Sequence, residues 1–232
     1  MNKSYKYTGL VIFIIFFGLI FIPKIIERLL SDTAVQDNRS APAMPLAYIK
    51  LDGEVKRVPD FLMFNQDSLL ISNEDYLGKV YVAEFFFSRC PTICPIMNKN
   101  MKILDEKFWK REDFGIASFT IDPIHDTPKV LKEYAESFEV KSQNWYFLTG
   151  NKAKVYELAN SGFSIFASIN PAVAGGFEHQ GYFALIDKKG YIRSRVDRFE
   201  NPIVYYSGID KENEDIQGVE MLLDDIELLL NE

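Results

Sequence analysis

The sequence predicts an α/β domain in which a central sheet is covered by helices. Short apolar runs typical of buried strands alternate with stretches of helical periodicity, and a hairpin and a terminal helix end the chain. The 232 residues, 47% of them hydrophobic, suffice for one such domain and one membrane segment. A net charge of -7, without any run of Lys and Arg, argues against nucleic acid as a partner.

The N-terminal segment predicts a membrane anchor. Residues 8–22 contain no charge, and Pro23 and Lys24 end this apolar run. Its length is below the about 20 residues typical of a span, but flanking Tyr and Ile side chains can extend it. A cleaved signal peptide is the alternative, although the small residues of a cleavage site do not follow the run directly.

The chain is therefore expected to have three parts. Residues 1–30 are the single N-terminal transmembrane helix with its flanks, residues 31–45 are a polar linker with two prolines, and residues 46–232 are the domain. Lys3 and Lys6 favour a cytoplasmic N-terminus. We thus expect a single-pass membrane protein whose domain faces the periplasm or the cell exterior.

Within the domain, the apolar patterns predict the elements in order. Periodicity distinguishes the helices, and β-branched or aromatic runs bounded by turn residues distinguish the strands. The expected elements are an N-terminal hairpin (61–72), a buried strand (80–87), a helix (96–110), a strand (115–121), a helix capped by Asp126 or Thr127, a strand (145–150), a helix near 152–160, an irregular insertion (163–177), a hairpin (181–196) and a terminal helix (216–230).

The two cysteines are the most informative residues of the domain. Cys90 and Cys94 lie four positions apart, between the strand of residues 80–87 and the helix of residues 96–110. A helix N-terminus lowers the pKa of a thiol, and this spacing lets both sulfurs bind one ion or form a disulfide. Two buried thiols or a structural disulfide are the plainer alternatives for so short a motif.

A third donor is expected from one of the two histidines. His179 directly precedes the strand predicted from residue 181, in the same sheet as the strand before the cysteines, whereas His125 follows the neighbouring strand and is the weaker candidate. Two thiolates and one imidazole suit Cu(I), and with an added oxygen they also hold Cu(II). The alternative for His179 is an ordinary loop histidine.

Three motifs resemble those of the Sco/SenC family, in the right order between about residues 62 and 197. Residues 85–95, FFFSRCPTICP, resemble its copper motif, and residues 120–128, TIDPIHDTP, resemble its second motif. In the third, Glu178 and His179 precede a strand and a turn. This chain has Glu178 where the family commonly has Asp, and Gln180 where a small hydroxyl residue is frequent.

The resemblance implies a thioredoxin-like fold and a membrane-anchored copper chaperone. It implies a role in assembling the binuclear copper centre of cytochrome c oxidase, with the copper-receiving subunit as partner. Asp126 is alternatively no more than a helix cap. The site residues that the resemblance implies are Cys90, Cys94 and His179 as copper ligands, with Asp122, Asp126 and Glu178 supporting them.

Two other functions use the same cysteines. A membrane-tethered thiol-disulfide oxidoreductase would use Cys90 and Cys94 as a redox pair on a partner's cysteines, although such enzymes use Cys-x-x-Cys. A peroxidase would use Cys90 as nucleophile and Cys94 to resolve the sulfenic acid, but the sequence has no further peroxidase signature. Copper binding that depends on His179 distinguishes the chaperone from the oxidoreductase.

Overall fold

The computed structural model describes residues 13–23, 45–51, 53–197, 199–210 and 217–232. The chain divides into two units, Met1–Asn38 and Arg39–Glu232, and residues 13–23 of the first are helical. Within the described ranges, no helix has both the length and the apolar character that a bilayer crossing requires. Most of the predicted anchor and linker lies outside the described residues.

The second unit alternates strands and helices in the predicted order. Its strands are β1 (Ala47–Tyr48), β2 (Lys50–Leu51), β3 (Glu54–Val55), β4 (Leu62–Phe64), β5 (Leu70–Ser72), β6 (Val80–Phe86), β7 (Phe114–Thr120), β8 (Trp145–Leu148), β9 (Ala167–Ile169), β10 (Phe177–His179), β11 (Tyr182–Ile186), β12 (Ile192–Ser194) and β13 (Tyr206–Ser207). Its helices are a 3-10 turn (Asn73–Tyr76), α1 (Cys94–Phe108), α2 (Pro128–Ser137), α3 (Lys152–Glu157) with a π-helical continuation (Leu158–Phe163), and α4 (Gly218–Asn231).

A seven-stranded mixed sheet organises this unit. Its order is β1-β12-β11-β6-β7-β8, and β13 also pairs with β11. The strands β6, β7 and β8 are parallel, while β11 runs antiparallel to β6. The predicted N-terminal hairpin is confirmed as the separate pair β4–β5. The carboxyl ends of β6 and β7 therefore share one edge, where ligand sites of α/β sheets lie.

Aromatic side chains cover both faces of the central strands. Successive residues of β6 point to opposite faces, so Phe86 stacks on Tyr134 of α2, while Phe85 stacks on Phe119 and meets Phe163. All seven residues of β6 are buried, as the sequence predicts. The predicted apolar stripe of α1 is confirmed in the core, and its buried members include Met97, Met101, Leu104 and Phe108.

The structure corrects the sequence analysis in two places. The segment 163–177 is not irregular, because β9 and β10 within and beside it pair as an antiparallel hairpin. Two short strands joined by a seven-residue loop give too little alternation to be recognised in a sequence. The interpretation of Asp126 as no more than a helix cap is also wrong, since the Thr127 side chain accepts from the N–H of Val130.

Candidate metal centre

Cys90 and Cys94 lie where the chain leaves the central strand β6 and enters α1. Both are free thiols and buried, with 8% and 1% of their surfaces exposed. The backbone N–H of Cys94 donates to Cys90 Sγ at 3.5 Å. Because Ile93 at the N-cap provides no capping hydrogen bond, the Cys90 sulfur is the acceptor at the positive end of this 15-residue helix.

His179 completes a group of three donor atoms. Its Nε2 lies 3.2 Å from Cys94 Sγ, and the ligand atoms of both cysteines and the histidine all lie within 4.8 Å of one another. The other ring nitrogen, Nδ1, lies 3.2 Å from the carbonyl oxygen of Gln180. A carbonyl only accepts, so we assign the proton to Nδ1, which leaves the Nε2 lone pair facing the sulfurs.

The two thiols differ in acidity because they share a hydrogen bond. The hydrogen bond from Cys94 lowers the pKa of Cys90, and hydrogen bonds from backbone N–H groups lower it further against the opposing effect of burial. The same hydrogen bond raises the pKa of Cys94, and burial raises it further. The two pKa shifts run in opposite directions, so Cys90 is the more acidic thiol of the pair.

The β9–β10 hairpin carries His179 to the cysteines. The side chain of Gln180 accepts from the backbone N–H of Phe166 at 2.9 Å and fixes the base of the hairpin. In the connecting loop, Gly175 has a φ of +87°, and a Cβ there would lie 2.8 Å from the ring of Phe87. Only glycine fits both the positive φ and this approach, so the loop packs closely beside the thiol site.

Asp126 connects the loop before Cys90 to the loop after β7. Its fully buried carboxylate accepts from the Ser88 N–H at 3.0 Å and from the hydroxyls of Ser88 and Thr120 at 2.5 Å each. Ser88 and Thr120 are not among the site residues predicted from the sequence. Their positions in the sequence could have indicated this role, because each lies at or just after the carboxyl end of a parallel strand, where the loops of the sheet meet.

Asp122, His125 and Asp126 form a second group of donor atoms within 4.8 Å of one another. His125 Nδ1 lies 2.9 Å from Asp126 Oδ1, and Asp122 accepts from Arg89 Nη2 at 2.6 Å. The structure therefore groups His179, and not His125, with the cysteines. Asp122 and Asp126 shape the loops around the thiol pair.

A cavity of about 210 Å³ opens beside the donor atoms. Phe87 and Phe177 form part of its apolar wall, while Cys90, Glu178 and His179 supply polar groups. Glu178 was expected to support His179, but its carboxylate has no hydrogen-bond partner among the described residues. The Gln180 carbonyl orients the His179 ring. The cavity gives a small ion access to a soft sulfur donor and an imidazole nitrogen.

Comparison with known proteins identifies the family. The sequence model of the SCO1/SenC family matches residues 50–214, which is well over half of the chain, and the protein belongs to this family. The SCO1 protein homolog of Bacillus subtilis (strain 168) is 34% identical over 146 residues, which are 62% of this chain and 75% of the relative.

Solved structures confirm the thioredoxin-like arrangement of sheet and helices. BsSco, described as a member of the Sco family of cytochrome c oxidase assembly proteins with a disulfide switch, is 29% identical with a TM-score of 0.61, over 79% of this chain and 98% of that one. Bradyrhizobium japonicum ScoI with copper bound has a TM-score of 0.59 over 75% of this chain and 99% of its own. Its 18% identity shows the fold alone.

Proposed function

We propose that this protein is a copper chaperone that binds one copper ion through Cys90, Cys94 and His179. The observation that carries the proposal is the convergence of their three donor atoms within 4.8 Å at the edge of the sheet. Two sulfurs and one imidazole nitrogen favour soft Cu(I), and an added oxygen would suit Cu(II). Membership in the SCO1/SenC family supports copper as the cargo.

The arrangement of donors gives an order to copper uptake. Cys90 is the first donor, because its lowered pKa makes it the more readily ionised of the two thiols. His179 Nε2 needs no deprotonation, whereas Cys94 must lose its proton for both sulfurs to bind. A disulfide between Cys90 and Cys94 would lack two of the three donors, so the chain can bind the ion through both sulfurs only while the pair is reduced.

The proposed recipient of the copper ion is inferred from the family relatives, since the geometry of the site does not indicate it. BsSco belongs to a family of cytochrome c oxidase assembly proteins, and this chain is 29% identical to it. By this kinship we extend the proposal to delivery of copper to the binuclear copper centre of that oxidase. The copper-receiving subunit would then be the partner.

The same proposal includes an uncleaved N-terminal anchor in residues 1–30 and a linker in residues 31–45. The charge-free run of residues 8–22 supports the anchor, and Lys3 and Lys6 support an N-terminus in the cytoplasm. The domain would face the periplasm or the cell exterior. Protease protection of the domain in spheroplast vesicles of known orientation tests this arrangement.

A second candidate function is thiol-disulfide exchange on the cysteines of a partner. The observation that favours it is a pair of adjacent free thiols in which Cys90 accepts from the Cys94 N–H, because a thiol whose pKa is lowered supplies the thiolate that attacks in such exchange. His179 would then tune the pair and would not be required as a ligand.

Copper titration of matched histidine variants tests the proposal. The reduced full-length chain is titrated with Cu(I) under anaerobic conditions against a competing chelator, beside His179→Ala and the control His125→Ala. We expect one ion per chain, binding weakened about a hundredfold or more in His179→Ala, and little change in His125→Ala. Equal binding by the parent and His179→Ala would overturn the three-ligand site and favour thiol-disulfide exchange.

A further inference from the structure

The hydroxyl of Thr92 lies against the sulfur of Cys90, inside the loop that joins the two cysteines. Thr92 Oγ1 is 3.6 Å from Cys90 Sγ, a hydrogen-bonding contact. Thr92 is also one of the residues that line the cavity beside the donor atoms. Among the described residues, Thr92 Oγ1 has no other hydrogen-bond partner. The contact has no role in the site described above, although it joins a polar side chain directly to a proposed copper ligand.

The backbone on both sides of Thr92 is held in place. Before it, the N–H of Cys90 donates to the carbonyl of Phe87 at 3.1 Å, which closes a turn at the end of β6. After it, the carbonyl of Ile93 accepts from two N–H groups of the first turn of α1, each at 3.0 Å. Pro91 precedes Thr92 directly, and its ring fixes its own φ angle. The position of the Thr92 hydroxyl beside the sulfur is therefore set by the loop and not by chance rotation of a free chain.

The direction of this hydrogen bond follows from the chemistry of the ligand. A Cys90 sulfur that binds copper has lost its proton and can only accept, so the Thr92 O–H donates to it. The backbone N–H of Cys94 donates to the same sulfur at 3.5 Å. Of these two donors only the hydroxyl belongs to a side chain, so Thr92 is the donor that a substitution can remove.

We propose that Thr92 is a positioning residue whose hydroxyl, donated to the Cys90 sulfur, makes the site favour Cu(I) over Cu(II). The proposal deepens the copper-chaperone function and rests on it. Two thiolates, a neutral imidazole and the ion together have one net negative charge with Cu(I) and none with Cu(II). A donated O–H stabilises the more negative of these two states, just as hydrogen bonds to ligating sulfurs set the reduction potentials of other metal sites.

A competing role for Thr92 predicts an effect of the opposite sign. Because the residue lines the cavity, its oxygen could instead be the added oxygen ligand that suits Cu(II). Loss of an oxygen ligand would weaken binding of Cu(II). Loss of a hydrogen bond to the sulfur strengthens binding of Cu(II) relative to Cu(I), because the sulfur becomes a better electron donor. The contact between Thr92 Oγ1 and Cys90 Sγ is the observation that favours the hydrogen bond.

The test measures the Cu(I) and Cu(II) affinities of the full-length chain, of Thr92→Val and of the matched control Thr92→Ser, each ion against a competing chelator. Thr92 is exposed, and the second methyl group of Val fills the place where water could replace the hydroxyl. We expect the ratio of Cu(II) to Cu(I) affinity to rise about fivefold in Thr92→Val. At about 59 mV per tenfold for one electron, this lowers the potential of the bound copper by about 40 mV. Thr92→Ser retains the hydroxyl and the parental ratio.

A spectroscopic readout reports on the sulfur itself. The charge-transfer band from sulfur to Cu(II) should move to longer wavelength in Thr92→Val and stay at the parental position in Thr92→Ser. Thr92→Ala replaces Thr92→Val if the latter loses its near-UV circular dichroism, and it should change the ratio and the band in the same direction.

Three results would overturn the inference. An unchanged affinity ratio and band in the variant without the hydroxyl overturns the role of Thr92 alone. A ratio that falls also overturns it, and assigns Thr92 as an oxygen ligand of Cu(II). A parent that binds neither copper ion overturns the chaperone function and this inference together.

Discussion

Two buried polar clusters of this protein differ in whether their atoms are satisfied. In the first, which we call the arginine cluster, Asp225 of α4 accepts from Arg195 at 2.8 and 2.9 Å and from the Tyr206 hydroxyl at 2.6 Å. In the second, which we call the thiol cluster, Glu84 Oε2 and Asn98 Oδ1 have no partner among the described residues, and Cys90 and Cys94 are free.

The two clusters serve different purposes, one stability and the other function. In the arginine cluster, the buried charge of Arg195 is paired, and the cluster fixes the terminal helix to the end of the sheet. The thiol cluster has unmet hydrogen-bonding and ligand capacity, which a bound ion or a proton can use. Breaking the first should cost stability, and changing the second should alter copper binding and pH dependence.

The largest expected effect is on the arginine cluster. Asp225→Ala leaves the buried Arg195 without its closest counter-ion, and we expect the free energy of unfolding to fall by about 3–5 kcal/mol. Urea denaturation measures this loss. Asp224→Ala is the matched control, because Asp224 is 64% exposed and 4.0 Å from Arg195, and it should cost less than about 1 kcal/mol. Equal losses in the two variants would contradict the account.

The next effect concerns the stability of the thiol cluster as a function of pH. The folded pKa of Glu84, about 7, exceeds its ordinary value of 4.5, so between these pH values the folded chain binds more protons than the unfolded chain. The contribution of Glu84 to stability is present below pH 4.5 and is lost as the pH rises to about 7, by about 3 kcal/mol in total. Glu84→Gln should remove this fall, as measured by urea denaturation from pH 5 to pH 8. An identical fall in Glu84→Gln and the parent would show that Glu84 is not its source.

A smaller effect is expected at the loop that joins the thiol cluster to β7. Asp126→Asn replaces a carboxylate that accepts from Ser88 and Thr120 with an amide that has one acceptor oxygen. We expect a loss of about 2 kcal/mol in unfolding free energy, together with Cu(I) binding about tenfold weaker, because the loop before Cys90 loses its attachment. Unchanged copper affinity in a destabilised variant would limit Asp126 to a structural role.

The smallest effect is expected one residue further along. Thr127→Ala removes the N-cap of α2 and should cost about 1 kcal/mol of stability. Copper binding should stay at the parental level, since no atom of Thr127 contacts the cysteine loop through a hydrogen bond in the described structure. Thermal unfolding and the chelator titration check the two halves of this prediction. Weakened copper binding in Thr127→Ala would contradict this prediction, because it would mean that the N-cap of α2 also supports the loop before Cys90.

Much of the fold could be predicted because its signals are local. The apolar run of β6 and the stripe of α1 give strong periodicity, and the structure confirms both. The β9–β10 hairpin could not be recognised, because its strands have three residues each. The start of α1 at Cys94 depends on the Cys90 sulfur as acceptor, a contact that no helix-start rule includes.

The three donor residues of the candidate site could be predicted from the sequence, but the hydrogen bonds that hold the surrounding loops could not. Cysteine spacing and residue order point to Cys90, Cys94 and His179, and the structure brings these residues together. The link from Ser88 to Asp126 spans 38 positions, so only the folded register of β6 and β7 reveals it. In the sequence, Glu84 is one polar residue within a predicted buried strand. Only the structure shows that its Oε2 atom is buried without a hydrogen-bond partner among the described residues.

X-ray absorption at the copper edge would show whether one copper ion is held by two sulfurs and one imidazole nitrogen. The Cu(I)-loaded full-length chain is compared with loaded His179→Ala and His125→Ala. We expect two sulfur scatterers and one histidine nitrogen in the parent and in His125→Ala, and loss of the nitrogen in His179→Ala. A parent with sulfur scatterers alone, or a nitrogen that survives in His179→Ala, would contradict it.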